Sequence, residues 1–398
     1  MTSTAIGASV PPSRLAASLG QKKIPSLDGL RALAVILVIC HHLNVPYSPE
    51  GRGVLTFFVL SGFLITWMML TESQKNSDVS IRNFYVRRVL RIFPAFYVFL
   101  ILAFAAQWLT QGGLSAPIVG DYLSAFSYTS NYRFALMPHM NHACWHTWAL
   151  SMEEQFYLLW PWLFVAFQKD LRKLTHVLIA AIVLVDAYRI VLFFHFHVNE
   201  DWLQRSFDSR VDHLLVGCLL AVLIKRGVLI RFWNFIVSRP WISLVSLALM
   251  VGSIAMEFRF HLPYRFAVGF VVDPLLTAIF LVQVIAMGGT WLWGWLNWRV
   301  IRYLGQVSYG MFLYHMMANR LILEFFGRQS LWIHVPAVIA TAALLGAGSF
   351  HLIEMRFLRL KSRFTAPSAS RVLVNVTQSY ELSGNSRRDF ELTGNFRR

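Results

Sequence analysis

The sequence predicts an all-α, polytopic membrane protein of about ten transmembrane helices, with both termini in the cytoplasm. Three observations predict it. Of 398 residues, 56% are hydrophobic and 14% charged, against about 25% charged in an ordinary soluble domain. Ten apolar runs approach the roughly 20 residues that a helix needs to cross a bilayer. The basic residues fall mostly on one side of those runs. This composition excludes a disordered chain, a collagen-like one and a disulfide scaffold. It also excludes a soluble enzyme with one buried core, because too little polar sequence remains to cover it. Cys40, Cys144 and Cys218 are scattered and odd in number, so neither a disulfide framework nor a zinc site is expected. A net charge of +16 would suggest nucleic acid in a soluble protein. In a membrane protein it reflects basic cytoplasmic loops and contact with anionic lipid.

Residues 1–23 form a polar cytoplasmic segment. No apolar stretch precedes Gly20, so no cleaved signal peptide is expected. The spans then follow at 25–43, 54–71, 92–110, 148–167, 174–195, 212–225, 240–257, 266–287, 303–322 and 332–353. Runs of this length leave little room for strands, and helices satisfy their own backbone in lipid. With the N-terminus inside and the span-end residues Lys225 and Arg320 counted with their adjoining loops, 26 Lys and Arg lie on the inner side and 8 on the outer, with Arg31 and Arg189 inside spans. The positive-inside rule therefore places both ends in the cytoplasm. The membrane domain runs over 24–360. The remainder, 361–398, is a basic tail ending in the near-duplicates ELSGNSRR and ELTGNFRR, which reads as disordered.

Polar residues inside spans are costly and are functional candidates by default. The first span, SLDGLRALAVILVICHHL, carries Arg31 and His42. Eleven helical steps leave about 20° of rotation between them, so they share a face roughly 16 Å apart along the axis. A snorkelling Arg with an interfacial His is the plain alternative. Asp28 reads as an N-cap. In FYVRRVLRIFPAFY, Arg88 and Arg91 point the same way, either as topology signals or as a phosphate clamp. Arg82 and Arg87 read as topology signals. The fourth span, WALSMEEQFYLLWP, holds Glu153 and Glu154 near its outer end, where at least one needs a partner or water. LGQVSYGMFLYH puts Tyr309 and His315 in the ninth span. Asp186 and Arg189 read as an internal ion pair, while Arg210 and Asp212 at the entrance of the sixth span suit either packing or binding.

Together, SLDGLRALAVILVICHHL, FFVLSGFLIT, RRVLRIFPAFY, WALSMEEQFYLLWP, RVDHLLVG, LGQVSYGMFLYH and HLIE resemble the acyltransferase-3 family of integral membrane O-acyltransferases, in family order over residues 24–360. The resemblance implies a bacterial inner-membrane enzyme that takes an acyl group from cytosolic acyl-CoA, with acetyl-CoA the expected donor. The acceptor would be a hydroxyl on or beyond the outer face: a surface polysaccharide or exopolysaccharide, peptidoglycan, a lipid-linked glycan or a macrolide. It implies His42 as the catalytic histidine, Arg31 as its motif partner, and Arg88 with Arg91 as contacts to the CoA phosphates. Glu153 takes the place of the family's acidic residue. His315 joins the catalytic set, and Tyr309, Asp212 and Arg210 are substrate-binding candidates. No metal is implied.

His42 would act as general base or as a transient acyl carrier, and Glu153 is expected to hydrogen-bond His42 or His315. Three departures from the family pattern stand out: His41 beside His42, no proline after Glu354, and no room for an extra span with a hydrolase-like domain. A stand-alone enzyme is therefore expected. The different-class alternative is a secondary transporter or lipid-linked glycan flippase. That would predict repeated halves with broken helices, and no repeat is visible across the spans.

Overall fold

The computed structural model describes residues 14–361 except 22, 50 and 138–143. The near-duplicated tail lies outside the described residues, as does most of the N-terminal segment. Within them the structure is helical and contains no strand. Ten longer helices occupy the ten apolar segments: α1 (Pro25–His42), α2 (Arg52–Asn76), α3 (Ile81–Gln111), α4 (Trp148–Phe167), α5 (Leu171–Phe194), α6 (Asp212–Lys225), α7 (Pro240–Tyr264), α8 (Phe270–Met287), α9 (Ser308–Phe326) and α10 (Leu331–Ser349).

Local sequence explains their limits. Pro25 and Pro240 open α1 and α7 at the first turn, where the missing N–H costs nothing. The Ser80 hydroxyl accepts from the Asn83 N–H at the start of α3, and the Asp170 carboxylate accepts from two backbone N–H groups at the start of α5. Within the last turn of α7 the backbone breaks at His261 (φ 52°, ψ −138°), two residues before Pro263.

Among the described residues, five stretches are long and apolar enough to cross a membrane: 52–76, 81–111, 171–194, 240–287 and 331–360. A sixth is reached if α6 and the helix Ile230–Ile236, bent by 107°, form one span. The difference from ten has physical causes. Helix α6 has 14 residues, about 21 Å at 1.5 Å per residue, short of the ~30 Å hydrocarbon core. Helices α1, α4 and α9 carry Asp28, Arg31, Glu153, Glu154, Arg320 and Glu324. The segment expected as one helix over 303–322 is two, Arg299–Gln306 and α9, parted at Val307. Helix α3 starts a full three turns earlier than 92, so Arg88 and Arg91 stand on it rather than in a loop.

Helix α2 is central. It packs most extensively against α6, and small residues allow the approach. A side chain on Gly62 would strike the Leu214 carbonyl, and one on Gly217 would strike that of Val59. In lipid, such close backbone contact replaces the hydrophobic drive that water supplies elsewhere. The periphery is apolar and exposed, with Ile101 on α3, Val183 and Leu184 on α5, Val251 on α7 and Leu344 on α10. Apolar side chains spread over so many outer faces suit a lipid solvent.

Candidate active site

A cavity of about 760 Å³ opens among α1, α2, α3, α4, α9, the helix Arg299–Gln306 and the π-turn Phe350–Glu354. That short helix lies hard against the first turn of α1. A side chain on Gly305 would collide with the Asp28 carbonyl. Asp28 is not the N-cap, a position held by Ile24. It sits in the first turn and faces Arg31 at 3.8 Å, where its charge also suits the positive end of the helix.

Five of the site candidates read from the sequence meet in this cavity: Arg31 from α1, Arg88 and Arg91 from α3, Glu153 from α4 and Tyr309 from α9. The three-residue spacing of Arg88 and Arg91 does turn both toward one wall. Lys23, Arg302, Glu354, Tyr157 and Ser61 line the same space. Of the five cationic side chains, only Arg31 faces a carboxylate within ion-pair distance among the described residues. The Arg88 guanidinium instead lies over the rings of Tyr157 (5.0 Å) and Phe84 (5.8 Å). Glu153 accepts hydrogen bonds from Ser61 (2.8 Å) and Tyr157 (3.5 Å). Tyr309 donates to the Ile92 carbonyl at 3.1 Å. Five cations gathered with one carboxylate partner among the described residues form a ready site for a polyanion, since charge-assisted bonds to phosphate replace what they lack.

The histidines form a separate unit at the far end. His42 Nδ1 and His315 Nε2 are 2.7 Å apart, with ring planes 11° apart and centroids 4.9 Å apart. An N···N distance this short is an in-line hydrogen bond, not a stack. His315 Nδ1 lies 2.7 Å from the Phe312 carbonyl, which can only accept. In the neutral ring, Nδ1 therefore carries the proton and Nε2 accepts. His42 must then donate through Nδ1, leaving its Nε2 lone pair free. Phe312 joins the two regions, because it also lines the cavity. The expected hydrogen bond from Glu153 to His42 or His315 is not formed. The carboxylate is engaged by Ser61 and Tyr157 on the cavity wall, and a backbone carbonyl orients His315 in its place.

Arg210 and Asp212 lie apart from this cavity. Asp212 is 3.1 Å from Arg189, which also pairs with Asp186 as expected and donates to the Ser209 carbonyl. Arg210 donates to the Gln204 carbonyl (2.7 Å) and rests on Phe270 (4.7 Å) and Trp148 (5.3 Å). Arg87, read as a topology residue, pairs with Glu72 at 2.7 Å. Two contributors were missed. Glu354 is buried and lines the cavity from the π-turn Phe350–Glu354. His146 is buried with its ring 4.7 Å from His315 and 5.6 Å from Phe99. Only its nearness to the WALSMEE motif pointed to it.

Comparison with known proteins decides the family. A family model described as an acyltransferase domain matches residues 24–351. The chain belongs to this acyltransferase-3 family. Among relatives of this chain is the peptidoglycan O-acetyltransferase OatA of Listeria monocytogenes, 29% identical over 365 residues, covering 84% of this chain and 56% of that protein. YrhL of Bacillus subtilis, provisionally named for the same activity, is 29% identical over 83% of this chain and 54% of its own length. A Staphylococcus aureus protein provisionally named an O-acetyltransferase is 28% identical over 84% of this chain and 57% of its own. The chain thus spans little more than half the length of the curated relatives it matches. No solved structure matches it.

Proposed function

We propose that this chain is a bacterial inner-membrane O-acetyltransferase. It takes an acetyl group from cytosolic acetyl-CoA and gives it to a hydroxyl of an envelope carbohydrate on the outer side. The relatives named for peptidoglycan O-acetylation make a cell-wall glycan the first acceptor to test. The observation that carries the reading is the placement of two chemistries on either side of Phe312, which lines the cavity and touches His315. Arg88 and Arg91, without carboxylate partners among the described residues, line the cavity beside Arg31, and beyond Phe312 stands an imidazole with a free nitrogen.

Arg88 and Arg91 would hold the donor's pyrophosphate, and the pantetheine arm would run along the Arg31–His42 face toward Phe312. His42 Nε2 would take the proton of the acceptor hydroxyl as its oxygen attacks the thioester carbonyl. Collapse of the tetrahedral intermediate breaks the carbon–sulfur bond. The thiolate leaves and recovers the proton from His42. The His315 hydrogen bond holds the reactive tautomer, the role a carboxylate fills in other catalytic histidines. This arrangement favours direct transfer over an acyl-histidine. Ten crossings with both termini inside, a membrane domain over 24–360 and a cytoplasmic basic tail belong to the same proposal.

Purified protein supplied with acetyl-CoA and a peptidoglycan fragment tests it. Acetylated fragment by mass spectrometry, and its loss in His42→Ala with acetyl-CoA binding intact, is the expected outcome. A protein that neither binds acetyl-CoA nor releases its thiol would sink the proposal and return the field to transport.

A further inference from the structure

The cations of the cavity stand at two levels. Arg31 lies six residues into α1 beyond Pro25, roughly 9 Å of helix rise, and is near enough to Arg88 and Arg91 for their charges to act on it. Lys23 precedes α1 altogether. Arg302 sits one turn before Gly305, on the short helix wedged against the first turn of α1. Both line the cavity, so both belong to the end where α1 begins. Neither has a carboxylate partner among the described residues, and the Arg302 Nε–H is buried with no acceptor. An unpaired buried donor is costly, and the rest of the Arg302 side chain lines the cavity with its charge unmatched by a carboxylate among the described residues.

Resting on the acyl-CoA reading above, we propose that Lys23 and Arg302 form a second anion subsite that takes the 3′-phosphate of the donor's adenosine. A coenzyme A thioester carries its pyrophosphate and its 3′-phosphate on opposite sides of one ribose, so two cationic levels in one cavity match two anionic groups in one ligand. The deeper level takes the pyrophosphate, and the thioester then points toward Phe312 and His42. Lys23 and Arg302 thereby select coenzyme A over carriers that end in pantetheine alone or lack the 3′-phosphate.

The test compares acetyl-CoA with acetyl-3′-dephospho-CoA, binding each to the full chain in a non-ionic detergent. Wild type should prefer acetyl-CoA by about 10- to 100-fold, the scale of one or two charge-assisted hydrogen bonds. In Arg302→Gln with Lys23→Gln the preference should vanish while affinity for the dephospho donor stays at the wild-type value, which also shows the variant to be folded. Arg302→Lys should restore part of it. Equal binding of both donors by wild type, or an undiminished preference in the double variant, would overturn the subsite and leave the acyl-CoA reading standing. Binding of neither donor by wild type would overturn that reading as well. The preference should persist in nanodiscs of phosphatidylcholine and of phosphatidylglycerol. Its disappearance in phosphatidylglycerol alone would assign the two cations to lipid headgroups instead.

Discussion

Replacing His315 by Phe keeps a flat ring of similar size in a buried site but deletes the acceptor for His42. In the structure, His42 Nδ1 has one partner, His315 Nε2 at 2.7 Å. Losing it forfeits a hydrogen bond of about 0.5–1.5 kcal/mol, and a buried donor left unpaired costs about 1–3 kcal/mol. His42 escapes that cost by rotating or switching tautomer, and either change takes Nε2 away from the acceptor. A penalty of about 1.4–2.7 kcal/mol on the productive orientation lowers turnover roughly 10- to 100-fold. Removing the base outright costs about 10²- to 10⁴-fold, so His315→Phe should fall between wild type and His42→Ala. The two imidazoles act as a unit, so the double variant should be no slower than His42→Ala alone. Turnover is followed by release of the CoA thiol in the presence of acceptor, with acetyl-CoA affinity measured separately and expected to hold. Wild-type turnover in His315→Phe would refute the relay, and so would a double variant slower than His42→Ala by the full His315→Phe factor.

Three further outcomes follow from the geometry. Arg88→Ala or Arg91→Ala should weaken acetyl-CoA binding about 10- to 100-fold each, on the scale of a charged hydrogen bond, with partial rescue by Lys because the guanidinium fork is lost; unchanged affinity in the double Ala variant, measured by calorimetry, would return both to topology signals. Gly217→Val should drive α2 and α6 apart at the Val59 carbonyl and destabilise the fold by about 1–3 kcal/mol, visible as a lower unfolding temperature in detergent. A reporter fused after Arg398 should be active only on the cytoplasmic side; activity outside the cell would contradict an even number of crossings.

Helical class and the position of each long helix follow from the sequence directly, because a bilayer demands long apolar runs and lets nothing but helices or closed barrels satisfy a backbone. Spacing along one helix was equally legible: the three-residue step from Arg88 to Arg91 brings both to one cavity wall. Span limits were not. The break at Val307, the early start of α3 and the shortness of α6 depend on capping and packing that apolar composition does not encode.

What linear sequence could not reveal is which polar residues meet across helices. Arg31, Glu153, Tyr309 and Glu354 come from four separate segments, and only the folded bundle makes them one cavity. The same holds for the histidines. Sequence marked His42 and His315 as costly polar groups in apolar helices, but their partnership rests on an in-line contact across 273 positions of chain. The carboxylate that charge and proximity to the motif suggested for that pair, Glu153, is held on the cavity wall by Ser61 and Tyr157. A backbone carbonyl does the orienting instead. Every residue supplies a carbonyl, so the sequence bears no mark of the one at Phe312. Its role exists only because α9 carries His315 one turn beyond it and α1 delivers His42 to the other side of the ring.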